Sequence, residues 1–326
     1  MIRSIGPYPR RRAIGFRRHP SAMIELRTPI ATSLVGPMEE WFNGMTRCPW
    51  ALEVNAAGTV FQLIGFFDDA TAAQAAWDDL CADFPALPAQ PTQTQMNDRD
   101  WREAYKAHLH PWSVGDLHWV PVWRKDEYRL PPGHTRLLFD AGLAFGTGDH
   151  ATTRLMATRL LDFRAARGPA EFASAPIIDA GCGSGILALS AALLGCRKVF
   201  AFDRDPEAIT VSRENLQVNN LSPEAVEFDL AGLEAALKNR RAQLLLANIQ
   251  ADVLALHADE LAAAIAPGGV LAMSGILASE VGDVRTAFES VLSTVWNADV
   301  PDDLENFGAS RIQGDWCDLV FVRPGK

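Results

Sequence analysis

The sequence predicts an α/β protein in which a small N-terminal domain precedes a parallel sheet with helices on both faces. Between residues 152 and 274, short apolar strands alternate with helical segments, which is the order typical of a parallel sheet. A glycine-rich turn, Gly181-Cys-Gly-Ser-Gly185, joins the first of these strands to its helix. The length of 326 residues suits two domains of roughly 150 residues each.

The composition is that of a folded protein with an acidic body. Hydrophobic residues make up 48% of the chain, and 30 basic against 40 acidic residues give a net charge of −10. This balance argues against a disordered chain and against general nucleic-acid binding. No apolar run approaches the roughly 20 residues that cross a bilayer, so we expect no membrane association. The five cysteines form no CxxC pair, which favours a reduced, cytoplasmic protein without a structural zinc site.

The first half of the chain divides into three segments. Residues 1–22 carry six arginines and no acidic residue. We expect a disordered basic extension there, and a transit peptide, a basic arm or a translation start at Met23 are open alternatives. Residues 23–96 predict a β-α-β-β-α-β order, which is that of a ferredoxin-like module. Residues 97–150 form a connecting segment in which four tryptophans alternate with basic residues and histidines. Such tryptophans can stack on bases, but we favour buried anchors that pack the segment onto the next domain.

Apolar periodicity and turn residues predict the individual elements. In the N-terminal domain, the predicted strands are 24–27, 51–54, 59–67 and 92–96, and the helices are 30–42 and 70–84. Asp69 is placed to cap the second of these helices. In the second domain, residues 151–326, the predicted strands are 177–180, 199–203, 226–229, 244–248 and 270–274, with helices at 152–163 and 186–194.

The glycine turn is the first candidate binding element. Glycine is required where a backbone turns sharply and a ligand lies against it, because a Cβ would collide. The helix that follows offers unpaired N–H groups at its start. Ile186 stands where the dinucleotide fingerprint G-x-G-x-x-G requires its last glycine, so that fingerprint fails. A tight turn without a ligand stays open, and Asp179 before the turn suits a ligand that carries an amine or ammonium group.

Polar residues end three further strands of the predicted sheet. Asp203 ends the second strand, where a carboxylate can accept hydrogen bonds from both hydroxyls of a ribose. Asn248 ends the fourth strand, and Asp229, at the end of the third, could meet an adenine amino group. Asp205 is the better cap for the next helix, which leaves Asp203 free. Because parallel strands carry their ligands at the carboxyl edge, Gly181, Asp203 and Asn248 are expected to converge on one crevice.

Together these residues resemble the class I S-adenosylmethionine-dependent methyltransferases. The stretch Phe145-Gly-Thr-Gly-Asp-His-Ala-Thr-Thr153 is similar to a loop of the ribosomal protein L11 methyltransferases, the PrmA family. Trp101–Lys106, Ala247–Ile249 and Gly275–Leu277 also resemble that family. The sequence departs from the family pattern at Asp149, at Ala151 and at Gln250–Asp252, which bears on substrate identity more than on the cofactor.

The resemblance implies a Rossmann-like class I methyltransferase sheet and S-adenosylmethionine as the cofactor. It implies cofactor contacts at Thr153, Gly181, Asp203 and Asn248, with Gly183 and Phe145 as additional contacts. It also implies that Asn248 is the catalytic residue and aligns the acceptor amine. The implied substrate is ribosomal protein L11, trimethylated on lysines and on its N-terminal amine and recognised by residues 23–96. His150 is expected to orient the loop or to line the amine channel.

Three alternatives stay open at this point. A related family methylates a lysine of the electron-transfer flavoprotein β subunit, but generally lacks a module such as residues 23–96. A nucleic-acid methyltransferase is disfavoured because Asn248 is followed by Ile249 and Gln250, not by the Pro-Pro-aromatic sequence that stacks a base. The third is a non-catalytic, S-adenosylmethionine-binding module of ribosome assembly.

Overall fold

In the computed structural model the chain forms two compact units, residues 1–108 and 109–326. The structure describes residues 22–43, 49–54, 61–97, 109–140, 150–296 and 310–325. The basic extension up to residue 21, the segment Trp101–Lys106 and Phe145 lie outside the described residues. What the sequence predicts for them therefore stays a prediction. The unit boundary falls inside the predicted connecting segment, because residues from Leu109 onward belong to the second unit.

The N-terminal unit has the β-α-β-β-α-β order that the sequence predicts. Its strands are β1 (Ala22–Ile30), β2 (Trp50–Val54), β3 (Phe61–Phe67) and β4 (Thr92–Asn97), and its helices are α1 (Val35–Asn43) and α2 (Ala70–Asp83). The strands pair antiparallel in the order β2-β3-β1-β4, which is the ferredoxin-like arrangement. The side chain of Asp69 accepts a hydrogen bond from Ala72 N at 2.8 Å, so it caps α2 as predicted.

The first helix begins later than the apolar spacing predicts. Ile30 was expected to start it, but Ile30 ends β1 opposite Phe61. A single 3-10 turn, Thr32–Leu34, then precedes α1. Residues 28–30 pair with β3, which extends β1 through residues whose spacing alone is helical. The core of this unit lies between the sheet and α2, where Leu63, Trp77 and Leu80 are buried.

A three-stranded sheet opens the second unit, and the sequence did not predict it. Its strands are β5 (Trp112–Val114), β6 (Leu117–Pro121) and β7 (Thr135–Phe139). Trp112 and Trp119 face each other on neighbouring strands, with stacked rings 3.9 Å apart. Both are buried, and Trp119 Nε1 donates to the hydroxyl of Ser190 at 3.0 Å. For these two tryptophans the packing interpretation is confirmed.

The large sheet contains the predicted parallel strands and extends beyond them. Its strands are β8 (Ile177–Ala180), β9 (Val199–Asp203), β10 (Glu227–Leu230), β11 (Ala242–Asn248), β12 (Ile265–Leu277), β13 (Ile312–Gln313) and β14 (Trp316–Val322). They lie in the order β10-β9-β8-β11-β12-β14-β13. Strands β8 to β12 are parallel, and β14 is antiparallel to both of its neighbours. The strand order reverses between β8 and β11, which is the switch point where doubly wound sheets bind ligands.

Helices flank this sheet, and most of its central residues are fully buried. They are α3 (Ala151–Ser174), α4 (Ile186–Leu193), α5 (Pro206–Val218), α6 (Leu233–Leu237), α7 (Ala251–Leu256), α8 (Ala258–Ala263) and α9 (Val281–Trp296). Helix α3 continues past the predicted end at Phe163, with a break at Gly168 before Pro169. Within the described ranges, no helix has the length and apolar character that a bilayer span requires.

A buried ion pair fixes α3 to β14. Arg159 and Asp318 are 1% and 0% exposed, and two hydrogen bonds of 2.7 and 2.9 Å join the guanidinium to the carboxylate. Arg311 N also donates to this carboxylate, at 2.7 Å. A charge at this depth is tolerated only with such partners, so the pair sets the position of the helix that carries Thr153.

Candidate functional site

The predicted residues meet at the carboxyl edge of the large sheet. Ala180 lies beside Phe202 in β9 and beside Ala247 in β11. The residues that follow these three, Gly181, Asp203 and Asn248, therefore stand next to one another at the switch point. The convergence that the sequence predicts is present in the fold. Phe145 lies outside the described residues.

The glycine turn has a backbone shape that side chains resist. Gly181, Gly183 and Gly185 have φ angles of 71°, 54° and 76°, in the left-handed region that favours glycine. A Cβ on Gly181 would lie 2.5 Å from Cγ2 of Ile249. The N–H groups of Gly181 and Cys182 both donate to Phe202 O, at 2.9 and 3.0 Å. These bonds hold the start of the turn against the end of β9.

Asp203 connects the glycine turn to the second strand. One carboxylate oxygen accepts Gly183 N at 3.0 Å and the other accepts Asp205 N at 3.0 Å. A carboxylate offers about four acceptor positions, so this half-buried group keeps capacity for ribose hydroxyls. Asp205 caps α5 by accepting Glu207 N at 2.9 Å, as the sequence predicts. Asp229 is exposed on the edge strand β10.

Asn248 has a buried oxygen atom without a partner among the described residues. Its Nδ2 donates to Thr153 Oγ1 at 3.3 Å, whereas its Oδ1 is buried and accepts no hydrogen bond from that part of the chain. A buried acceptor left unpaired costs roughly 1–3 kcal/mol. The unpaired Oδ1 fits a site at which a bound ligand donates a hydrogen bond. The sequence predicts that Asn248 lies at the edge of the sheet, but it does not predict that its side-chain oxygen is buried and unpaired.

The start of α3 completes this part of the edge. His150 Nδ1 lies 2.8 Å from Thr152 Oγ1 and caps the helix, and its ring packs edge-on against Trp316. Burial lowers the pKa of His150, which favours the neutral imidazole. Thr153 is 1% exposed. His150 therefore caps α3; its predicted role in orienting the loop or lining the amine channel stays a prediction.

Asp179 faces the helix after the glycine turn. Its carboxylate accepts Ala188 N at 3.0 Å and is 1% exposed. Burial raises the pKa of Asp179 to about 7, and the nearby charge of Asp203 adds to the rise. The carboxyl group therefore binds the first turn of α4 from inside the protein. In the described ranges, no three His, Cys, Asp or Glu side chains come together as a metal site.

The site and the fold together define a class of protein. A parallel sheet that reverses between β8 and β11, with a glycine turn, a carboxylate and a polar amide at neighbouring carboxyl ends, is the arrangement of a class I S-adenosylmethionine-dependent methyltransferase. A crystal structure of ribosomal protein L11 methylase from Lactobacillus delbrueckii subsp. bulgaricus superposes with a TM-score of 0.53 at 27% identity. The match covers 66% of this chain and 99% of that one.

Sequence relatives define the family. The family profile described as ribosomal protein L11 methyltransferase (PrmA) matches residues 46–300. A ribosomal protein L11 methyltransferase of Azotobacter vinelandii is 41% identical over 60% of this chain and 63% of its own length. One of Citrifermentans bemidjiense is 39% identical over 74% of each chain. The chain belongs to the ribosomal protein L11 methyltransferase family, PrmA.

Proposed function

We propose that this protein transfers methyl groups from S-adenosylmethionine to lysine side chains and to the N-terminal amine of ribosomal protein L11. The single observation that carries the proposal is the vacant, buried acceptor at Asn248 Oδ1. An amine nitrogen can donate a hydrogen bond to that oxygen and so be held in one orientation. The names of the matched relatives support L11 as the acceptor.

The residues at the edge fit the proposed cofactor. Asp203 would hold the ribose hydroxyls, and the backbone of Gly181 and Gly183 would receive a ligand at close range because no Cβ intervenes. Thr153 and Asn248 would border the transferable methyl, and Phe145 is proposed as a further contact. When bound, S-adenosylmethionine supplies an activated methyl group on a positively charged sulfur.

The protein's own task is to position the acceptor and exclude water. A free lysine has a pKa of about 10.4, but only the neutral amine is nucleophilic. Removal from water lowers an amine pKa, and the buried environment of Asn248 and Thr153 would supply this desolvation. Alignment by Asn248 Oδ1 then converts an encounter into a fixed geometry. The transfer requires no general base other than water.

The proposal also covers how the substrate is recognised and where in the cell the protein acts. We propose that the N-terminal unit recognises the substrate, while the second unit carries the chemistry. The net charge of −10 favours encounter with a cationic acceptor and disfavours nucleic acid. A cytoplasmic location follows from a ribosomal substrate. Neither the electron-transfer flavoprotein acceptor nor a non-catalytic role gains support from the comparisons.

Mass spectrometry of purified ribosomal protein L11 after incubation with the protein and S-adenosylmethionine tests the proposal. We expect mass additions of 14 Da, the size of one methylene, on lysine and on the N-terminal amine, with kcat lowered by about 100-fold or more in Asn248→Ala. Gln217→Ala, which removes an exposed side-chain amide on α5, is the control and should retain wild-type turnover. No modification of L11 by the wild type would reject the acceptor.

A further inference from the structure

Helix α5 touches the glycine turn through two buried polar side chains. Ser212 Oγ donates to Gly183 O at 2.8 Å, and Asn215 Nδ2 donates to Ser184 O at 2.9 Å. The two residues are 0% and 1% exposed. They lie three positions apart and therefore on one face of the helix. Two consecutive carbonyl groups of the turn are thus bound by the helix that follows Asp203.

Ser212 also packs against the rest of the turn. Its hydroxyl lies 3.7 Å from Cys182 Sγ, and a Cβ built on Gly185 would stand 2.9 Å from it. Three residues of the turn, including Gly183, are therefore in contact with this one side chain. The close approach accounts for the requirement for glycine at position 185 in addition to its positive φ angle.

Asn215 connects the turn to a second segment. Its Oδ1 accepts Asp140 N at 2.8 Å, and its Nδ2 donates to Asp140 O at 2.8 Å. Asn219, one helical turn later, makes the same pair of bonds to Leu138 N and Leu138 O, at 2.8 and 2.6 Å. The two amides thus bind alternate residues at the end of β7, as a neighbouring strand would. Within the described part of the chain, Asn215 also bonds to the glycine turn, whereas Asn219 bonds instead to Asn215 O.

A turn with three left-handed glycines has little conformational restraint of its own. A ligand that must order such a segment loses affinity by the free energy of ordering it. Ser and Asn are also poor choices for a helix interior unless their side chains have a specific task. Bonds from Ser212 and Asn215 to the turn's carbonyls supply that task, since they restrain the turn before any ligand arrives.

We propose that Ser212 and Asn215 are positioning residues that hold residues 182–185 in the shape that receives S-adenosylmethionine. They act through the carbonyl groups of Gly183 and Ser184. The proposal rests on the proposed function, because it assigns the turn to that cofactor. Sequence reasoning did not find these residues, since neither belongs to the glycine motif or to a strand end.

Isothermal titration calorimetry with S-adenosylhomocysteine distinguishes positioning from general stability. We expect Ser212→Ala and Asn215→Ala each to raise the Kd about tenfold, the size of one lost hydrogen bond, with a binding stoichiometry near that of the wild type. The matched control is Asn219→Ala, which loses the same kind of bonds to β7. It should keep the Kd within about twofold, even where it lowers the Tm as much as Asn215→Ala does.

Steady-state kinetics provide a second readout. The KM for S-adenosylmethionine should rise in Ser212→Ala, while kcat at saturating cofactor should stay near the wild-type value. A lowered stoichiometry with an unchanged Kd, or an equal rise in Kd for Asn219→Ala, would overturn the proposal. If Asn215→Ala fails to fold, the Kd of Ser212→Ala tests the proposal, because this substitution removes a single oxygen atom.

The two proposals can fail separately. Wild-type protein that binds S-adenosylhomocysteine but does not modify L11 would contradict the proposed acceptor and leave the positioning roles standing. Wild-type protein that does not bind S-adenosylhomocysteine at all would overturn both.

Discussion

Asp203 has two tasks, since it restrains the glycine turn through Gly183 N and keeps acceptor capacity for a ribose. We predict that Asp203→Asn raises the Kd for S-adenosylhomocysteine by about tenfold or more, because charge-assisted hydrogen bonds exceed neutral ones. Asp205→Asn is the matched control. It removes the same charge nearby, but asparagine caps a helix about as well as aspartate. Calorimetry on both variants checks this, and equal losses of affinity would contradict the assignment.

Gly181 is constrained by its φ angle and by its neighbour. A non-glycine residue in the left-handed region costs roughly 1–2 kcal/mol, and in Gly181→Ala the added Cβ also meets Ile249. The control is Gly268→Ala, at a nearly equal φ angle of 72° with open space around it. We predict that Gly181→Ala lowers the free energy of unfolding by more than the control does, as measured by urea denaturation.

The contact with Ile249 can be separated from the backbone strain. Ile249→Ala removes the atom that the new Cβ would meet, so the double variant should lose less stability than the sum of the single variants. If the losses of unfolding free energy in the two single variants simply add, the new Cβ does not destabilise the protein through Ile249. The outcome bears on the site directly, because Ile249 follows Asn248.

Among the elements, α3 depends on one buried ion pair for its place on the sheet. Arg159→Met should lower the free energy of unfolding by about 3–5 kcal/mol, because Asp318 would be left charged and buried without its partner. Arg164→Met breaks the pair with Asp116, whose side chains are 32% and 44% exposed. That change should cost about 1 kcal/mol or less. Similar losses in the two variants, measured by denaturant unfolding, would contradict the role given to Arg159.

The elements that the sequence predicts best are those with an uninterrupted apolar pattern. Strands β8 and β9 have the predicted bounds, because each is a buried run that ends at a glycine turn or an aspartate. Strand β14 was missed because Asp318 interrupts its apolar pattern. That aspartate is compatible with a buried strand only through Arg159, 159 residues away in sequence. Long-range pairs of this kind are invisible to local periodicity.

In the candidate site, too, some features could be predicted from the sequence and others depend on long-range packing. Gly181, Asp203 and Asn248 could be placed from the sequence because topology brings strand ends together. The vacant oxygen of Asn248 and the bonds from Ser212 depend on which face a helix packs, and a sequence alone does not contain that information. The family resemblance predicted the cofactor, and the comparisons confirm the family.

For the whole molecule, stability should depend on pH through Asp179. Burial raises the pKa of Asp179 to about 7, so the folded state keeps a proton that the unfolded chain releases near pH 3.9. The stabilising contribution is therefore full at low pH and is lost as pH rises through about 7. Relative to Asp179→Asn, the wild type should lose about 3–4 kcal/mol of unfolding free energy between pH 4 and pH 8. A difference that stays constant over this range, in urea unfolding, would contradict the buried state of the carboxyl group.

We propose that the carboxyl edge of the large sheet holds S-adenosylmethionine with its methyl group directed toward the amine position at Asn248. A crystal structure of the protein with S-adenosylhomocysteine measures this most directly. We predict ribose hydroxyls on the Asp203 carboxylate and the sulfur on the side of Asn248 Oδ1 and Thr153. A ligand bound away from this edge, or one whose sulfur faces away from Asn248, would contradict the account.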